Sequence, residues 1–290
     1  MTNHKKILVT GANGQLGNEC RKLAAKITDN TFVFTDVNEL SITDAQAIEN
    51  IFSKNNFDYC INAAAYTAVD AAEKDDATAL AINATAVGYL AAACKKYHCQ
   101  LIHISTDYVF DGENKNGYNE EDQTAPINVY GTTKLEGEKL AMQLDPKSIV
   151  IRTSWVYSYF GKNFVKTMMK LMQERPEISV VDDQIGKPTY AADLATAIFK
   201  IIFDYESPQP GMYHFANEGV ISWFEFANAI NEIGGYHCKI HPIPSSAYPV
   251  PAKRPHYSIL NASKIKDTFS LNIPQWKYSL QQCMSLLKEL

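Results

Sequence analysis

The chain predicts an α/β fold: a doubly wound parallel sheet over the first half and a smaller α+β domain over the second. Three observations carry this. Short β-branched runs alternate with helical patterns up to Arg152, a glycine-rich turn joins the first strand to the first helix, and the texture changes after Arg152. Strand–helix alternation at this spacing implies crossover helices, which cover both faces of a parallel sheet. The expected division is 1–152 for the sheet domain, with part of 190–218 returning to it, and 153–290 for the second domain.

Lys6–Thr10, Thr31–Thr35, Tyr59–Asn62, Gln100–Ser105 and Ser148–Arg152 read as strands. Helical patterns lie between them at Leu16–Ala25, Ala45–Phe52, Ala77–Tyr97 and Tyr130–Leu144, the last closed by the turn Asp145-Pro146. Beyond Arg152, aromatics gather at Trp155, Tyr157, Tyr159 and Phe160, and helices are readable at Phe164–Gln173, Ala191–Phe203 and Ser222–Ile233. Ser222 and Glu225 have the spacing of a capping box, in which a hydroxyl and a carboxylate satisfy the free N–H groups of a helix start. His241–Pro255 contains five prolines and no helical period, so an ordered loop is expected there.

Composition narrows the function. At 290 residues, with 46% hydrophobic and 20% charged residues, the chain has the make-up of a globular protein of one large or two modest domains. A net charge of −5 disfavours nucleic-acid binding, which rests on neutralising phosphates. The longest apolar candidate, Ala191–Phe203, is broken by Asp193 and Lys200, and only Ile7-Leu8-Val9 follows the N-terminal lysines. Neither a membrane span nor a signal peptide is expected. The six cysteines, at 20, 60, 94, 99, 238 and 283, form no C-x-x-C pair and are expected to be reduced, partly buried thiols of a cytoplasmic protein.

Gly11, Gly14 and Gly17 recur every third residue between the first strand and the first helix, around Gln15 and Leu16. Without Cβ atoms they let backbone N–H groups approach a pyrophosphate at a helix N-terminus. Asp36 follows nineteen residues after Gly17, at the end of the second strand, where a carboxylate accepts from an adenosine ribose. Together these are the signature of a Rossmann-type dinucleotide fold. Asp36 also favours NADH over NADPH, since it repels a 2′-phosphate and no arginine follows it.

Tyr130 and Lys134 share one face of a helix start, where an ammonium is expected to lower the phenol's pKa. The fourth strand ends in Ser105-Thr106-Asp107, and strand ends are where ligands bind in an open α/β sheet. A hydroxyl from Ser105 or Thr106 is therefore expected to meet Tyr130 at a carbonyl oxygen. Trp155, at the domain boundary, is a candidate to stack on a ligand, and Arg254 to bind a diphosphate bidentately. Gln184 and Lys187 form a further candidate pocket loop.

With these motifs the chain resembles the extended short-chain dehydrogenase/reductases. The residues are the glycine turn, Asp36, Asn62-Ala63-Ala64-Ala65, the hydroxyl-bearing strand end and Tyr130/Lys134. Asn62 through Asp70, Ser105 through Phe110, Arg152 through Tyr157, and Arg254-Pro255 narrow the resemblance to the branch that reduces the C4 ketone of dTDP-4-dehydro-L-rhamnose to dTDP-L-rhamnose for cell-surface polysaccharide. The resemblance implies that Tyr130 donates the proton, Lys134 holds the nicotinamide ribose, and Thr106 takes the place of the usual catalytic serine. It implies that Gly14, Gln15, Leu16, Asp36, Ala65, Tyr66 and Thr67 line the dinucleotide. It implies that Thr67, Val69, Thr106, Asp107, Tyr108 and Trp155 face the sugar nucleotide. Some members pair through a metal held by acids; Glu19 matches one ligand, but Ala192 stands beside Asp193 where another acid is needed. No metal is expected, and the protein is expected to be a monomer or homodimer.

Two rival readings stand beside the reductase. One is another sugar-nucleotide enzyme, an epimerase or a 4,6-dehydratase. The dehydratase uses an Asp-Glu pair after its catalytic Thr, and here Tyr108 occupies the second position. The other is a non-catalytic regulatory subunit similar to the beta subunit of methionine adenosyltransferase.

Overall fold

The computed structural model describes residues 4–288. Six strands form the main sheet: β1 (Lys6–Thr10), β2 (Thr31–Thr35), β3 (Tyr59–Asn62), β4 (Gln100–Thr106), β5 (Ile149–Thr153) and β6 (Gly211–Phe215). They lie in the spatial order 6-5-4-3-1-2, and every neighbouring pair is parallel. The order reverses between β1 and β3, so a crevice opens at their carboxyl ends, the place where such sheets bind ligands. β6 comes from the second half of the chain and extends the sheet beyond β5.

Alternating residues of each strand feed two cores, because helices cover both faces. Ile7, Val9, Ile61, Ile149 and Ile151 pack with the helices Gln15–Ala24 and Ala191–Asp204. Leu8, Cys60, Leu101 and Val150 pack under Ala45–Lys54 and Asp76–Lys96. The longer apolar helix is thus Asp76–Lys96, with 21 residues, and not the Ala191–Phe203 segment. By length and composition it could cross a membrane, but 56% of its apolar window is buried within the fold. All six cysteines are buried, and none is bridged.

Helix and strand bounds fall within two residues of those expected from sequence. One expectation fails. His241–Ile243 is not loop; it belongs to a strand, Lys239–Ile243, paired in parallel with Glu177–Val181. Pro242 is tolerated there because the pair has only two strands, so each strand has an edge that needs no donor. Helices Phe164–Glu174, Trp223–Gly234 and Trp276–Lys288 build the second half's core around Tyr157 and Phe226. The capping box at Ser222 and Glu225 is present in both directions, and Gly235 ends the same helix in the left-handed conformation.

The helix Val129–Leu144 is fastened to β5 by a buried ion pair. The Arg152 guanidinium donates from Nε and Nη2 to the two Glu138 oxygens, at 2.8 and 2.7 Å. It also reaches the Glu120 carbonyl, at 3.3 Å. Both side chains are almost fully buried, so losing one partner strands a charge away from water. Glu138→Ala should destabilise the fold by about 3–5 kcal/mol. Urea denaturation checks this, and a loss under about 1 kcal/mol would mean that water reaches Arg152.

Candidate active site

β1 ends at Thr10, and Gly11 turns the chain with φ +65°. A Cβ on Gly11 would lie 2.5 Å from the Ala64 nitrogen, and one on Gly17 would lie 2.4 Å from the Gly11 oxygen. Both positions therefore require glycine. Gly14 caps the helix Gln15–Ala24 with no side-chain bond, which leaves N–H groups at the helix start for an anion. Asp36 accepts from the backbone N–H of Asn13, at 2.9 Å, and so sits beside the glycine turn. A cavity of about 640 Å³ runs from here along the strand ends. Gly11, Gly14, Gln15, Leu16, Asp36, Ala65, Thr67, Ser105, Tyr130 and Lys134 all line it. Its length along the crevice, the close backbone approach and the acid fit a dinucleotide.

Tyr130 stands in the first turn of Val129–Leu144, and Lys134 one turn further on. Thr106, the last residue of β4, lies beside the Tyr130 phenol and donates to Asp107 at 2.9 Å. Of the two candidate hydroxyls it is Thr106 that meets Tyr130, while the Ser105 hydroxyl is buried without a partner. Burial pushes the Tyr130 phenol up to about 12, opposed by the Thr106 hydroxyl and reinforced by the Asp107 charge. The expected lowering by Lys134 is therefore not seen. The Lys134 ammonium is itself desolvated and donates to the Ile104 carbonyl at 2.6 Å. A phenol held at about 12 stays protonated at neutral pH, which suits a proton donor. Asp107 is buried and raised to about 7 by desolvation, which the Thr106 and Ser258 hydroxyls oppose.

A second cavity, of about 1120 Å³, adjoins the first. Tyr108 and Arg254 line it, as does Gln184. The Tyr108 ring, in the wall of this cavity, meets the Tyr130 ring, in the wall of the first, edge-on at 5.6 Å. Seven expected residues, Gly17, Tyr66, Val69, Thr106, Asp107, Trp155 and Lys187, line neither cavity; Gly17 packs against the Gly11 carbonyl, and Thr106 and Asp107 are buried. Trp155 lines neither cavity; it stacks on Trp223 at 3.6 Å, and Trp223 forms the cavity wall. Val69 lines neither cavity but begins a one-turn helix, Val69–Ala72. Tyr66 is held by its backbone, and Lys187 pairs with Glu218 at 3.6 Å. Glu19 accepts from Ser158 at 2.6 Å and Asp193 from Ser279 at 2.5 Å, so each of these acids has a protein partner.

Sequence reading missed Asn83. It lies in a π-helical turn, Ala81–Thr85, within the helix Asp76–Lys96. Its amide accepts from the Tyr66 N–H at 2.9 Å, donates to the Tyr66 carbonyl at 3.1 Å, and donates to Thr133 at 3.2 Å. It thus ties the 62–67 segment to the helix of Tyr130. No sequence signal marks a π turn, although π turns gather at functional sites. Lys162, which lines the dinucleotide cavity, was missed as well, because it comes from the second half.

The comparisons with known proteins agree with this geometry. Residues 5–289 match the family model described as RmlD substrate binding domain. The dTDP-4-dehydrorhamnose reductase of Aggregatibacter actinomycetemcomitans is 40% identical over 95% of this chain and 97% of its own. The chain belongs to the dTDP-4-dehydrorhamnose reductase family. A solved structure of such a reductase from Clostridium acetobutylicum is 40% identical and superposes with a TM-score of 0.93, covering 98% of this chain and 99% of its own. Another, from Bacillus anthracis in complex with NADP, is 37% identical with a TM-score of 0.93, covering 98% and 100%.

Burying Lys134 has a testable cost. Desolvation lowers its pKa to about 8, below the ordinary 10.5, with the Glu138 charge opposing. The folded state therefore binds fewer protons than the unfolded state between those values, and stability rises with pH across that window. Lys134→Met should stabilise the protein near pH 7 by about 1–2 kcal/mol, after allowing for the bond lost to Ile104. The advantage should shrink near pH 10. Denaturation at both pH values checks this, and a gap that does not change with pH would contradict it.

Proposed function

We propose that the chain reduces the C4 ketone of dTDP-4-dehydro-L-rhamnose to dTDP-L-rhamnose, using a reduced nicotinamide dinucleotide. The product serves cell-surface polysaccharide. The observation that carries the reading is Tyr130, held protonated by burial in the wall of the dinucleotide-shaped cavity, with its ring packed on Tyr108 in the wall of the larger one. Residues 4–152, with the helix Ala191–Asp204 and β6 returning to them, form the dinucleotide half, and most of the remainder forms the sugar-nucleotide half. The reading puts the enzyme in the cytoplasm, which suits six buried, unbridged cysteines.

When bound, the dinucleotide supplies a hydride to C4 of the sugar. The glycine turn and the open helix start hold its pyrophosphate, and Asp36 holds its adenosine ribose. Lys134 orients the nicotinamide ribose. Negative charge gathers on the ketone oxygen as the carbon is reduced, and Tyr130 neutralises it with the phenolic proton. Turned from Asp107, the Thr106 hydroxyl would donate a second hydrogen bond to that oxygen, while an aliphatic hydroxyl is too weak an acid to replace the phenol. Removing water from a hexose needs a further carboxylate beside Asp107, and Tyr108 fills that place, which favours simple reduction. Arg254 binds the diphosphate of the sugar nucleotide.

Tyr130→Phe keeps the ring and deletes the proton. Turnover of enzymatically prepared dTDP-4-dehydro-L-rhamnose should fall by about 10²–10⁴-fold, with dinucleotide affinity unchanged. Thr106→Val should cost less. A Tyr130→Phe enzyme that keeps more than about a tenth of wild-type turnover, with chemistry rate-limiting, would remove Tyr130 from this role.

Asp36 supports use of NADH at least as well as NADPH. Asp36→Ala should raise the Michaelis constant for NADH more than that for NADPH, because it deletes a ribose acceptor and also a repulsion against the 2′-phosphate. Steady-state kinetics with both cofactors decide this, and a strong native preference for NADPH would count against it.

A further inference from the structure

Three consecutive residues at the end of the proline-rich loop are gripped from the other half of the molecule. Asp70, in the one-turn helix Val69–Ala72, accepts from Arg254 Nη2 at 2.7 Å through Oδ2. Its Oδ1 accepts from the backbone N–H of Ala252 at 3.2 Å. Between these two residues, the Lys253 carbonyl accepts from the Asn128 amide at 2.8 Å. Asn128 is itself the cap of the helix that carries Tyr130, with its Oδ1 accepting from the Gly131 N–H at 2.7 Å. Ala252, Lys253, Arg254 and Asp70 all line the larger cavity.

We propose that Asp70 is a positioning residue for this reaction: it presents Arg254 to the diphosphate of the sugar nucleotide and fixes the 252–254 strap over the cavity. The inference rests on the reductase reading above. Arginine has many rotamers, and the strap is flanked by Pro251 and Pro255, which have no N–H to donate. The carboxylate removes both freedoms before the ligand arrives, and that freedom would otherwise be lost on binding. It occupies one amino group of the guanidinium. Apart from a 3.5 Å approach of Nη1 to the Ala252 carbonyl, the other N–H groups have no protein partner among the described residues. They remain available for two phosphate oxygens.

An acid beside a diphosphate site also repels the ligand, so the two effects must be weighed. Asp70 is 41% exposed, whereas Arg254 is 21% exposed. Water screens a charge at that exposure, and the repulsion is small. The orientation gained by a two-point grip is not screened. The positioning effect therefore dominates.

The test measures dTDP binding by calorimetry together with steady-state kinetics of the full-length enzyme. Asp70→Asn should weaken dTDP binding about tenfold and raise the Michaelis constant for the sugar nucleotide similarly. Turnover should stay within about twofold, and dinucleotide affinity should not change. Asp70→Glu should recover part of the loss. The double variant Asp70→Asn/Arg254→Ala should bind dTDP no worse than Arg254→Ala alone, a coupling that a purely structural role would not produce. Equal binding by wild type and Asp70→Asn, tighter binding by Asp70→Asn, or additive losses would each overturn the proposal while leaving the reductase reading intact. Absence of dTDP binding to the wild-type protein would overturn both.

Discussion

The helix Val129–Leu144 lies so close to its neighbours that two of its positions admit no side chain. A Cβ on Gly131 would lie 2.1 Å from the Tyr108 carbonyl oxygen, and one on Gly137 would lie 2.0 Å from the Asn83 oxygen. Between these contacts Lys134 reaches the Ile104 carbonyl, and beyond them Glu138 clasps Arg152. Four successive features of one helix face are thus fixed against β4, β5 and the π turn. The position of the Tyr130 phenol over Thr106 follows from that seating. Side chains on such a helix inherit the precision of the backbone contacts beneath them.

The parallel sheet explains why the chemistry gathers in one place. Every strand of the sheet runs the same way, so the segments after β1, β2, β3 and β4 emerge at one edge. They carry the glycine turn, Asp36, Ala65 with Thr67, and Thr106 with Asp107. The reversal of strand order between β1 and β3 parts the helices and opens the crevice between the first two of these segments and the third. The larger cavity is built differently. Its walls come from Tyr108 on one side and from Trp223, Gln184 and the 252–254 strap on the other. Hydrogen bonds from Asp70 and Asn128, not a continuous sheet, join the sides.

The balance of burial and charge sets the protonation of the site. Tyr130 and Lys134 are both desolvated, and desolvation favours the neutral form of each. For the phenol this keeps the proton in place at neutral pH. For the lysine it is a cost to the fold that function retains. A four-residue spacing reveals only the attraction between neighbours on a helix. Spacing does not reveal burial, which acts more strongly here.

The order of residues alone fixes the sheet, the glycine turn and the shared helix face of Tyr130 and Lys134. These rest on short-range patterns: alternating runs for strands, glycines at every third residue for the turn, and a four-residue spacing for one helix face. Each is a local consequence of backbone geometry, so each is legible in the order of residues. Only the tertiary structure decided that Trp155 stacks on Trp223 while Trp223 faces the cavity, that Asn83 clasps Tyr66, and that Asp70 holds Arg254 from 184 residues away. The short strand Lys239–Ile243 belongs with these, because its proline is acceptable only where a strand has a free edge. In every such case a residue's role depends on which distant group the packed chain brings beside it. Local spacing carries no information about that partner.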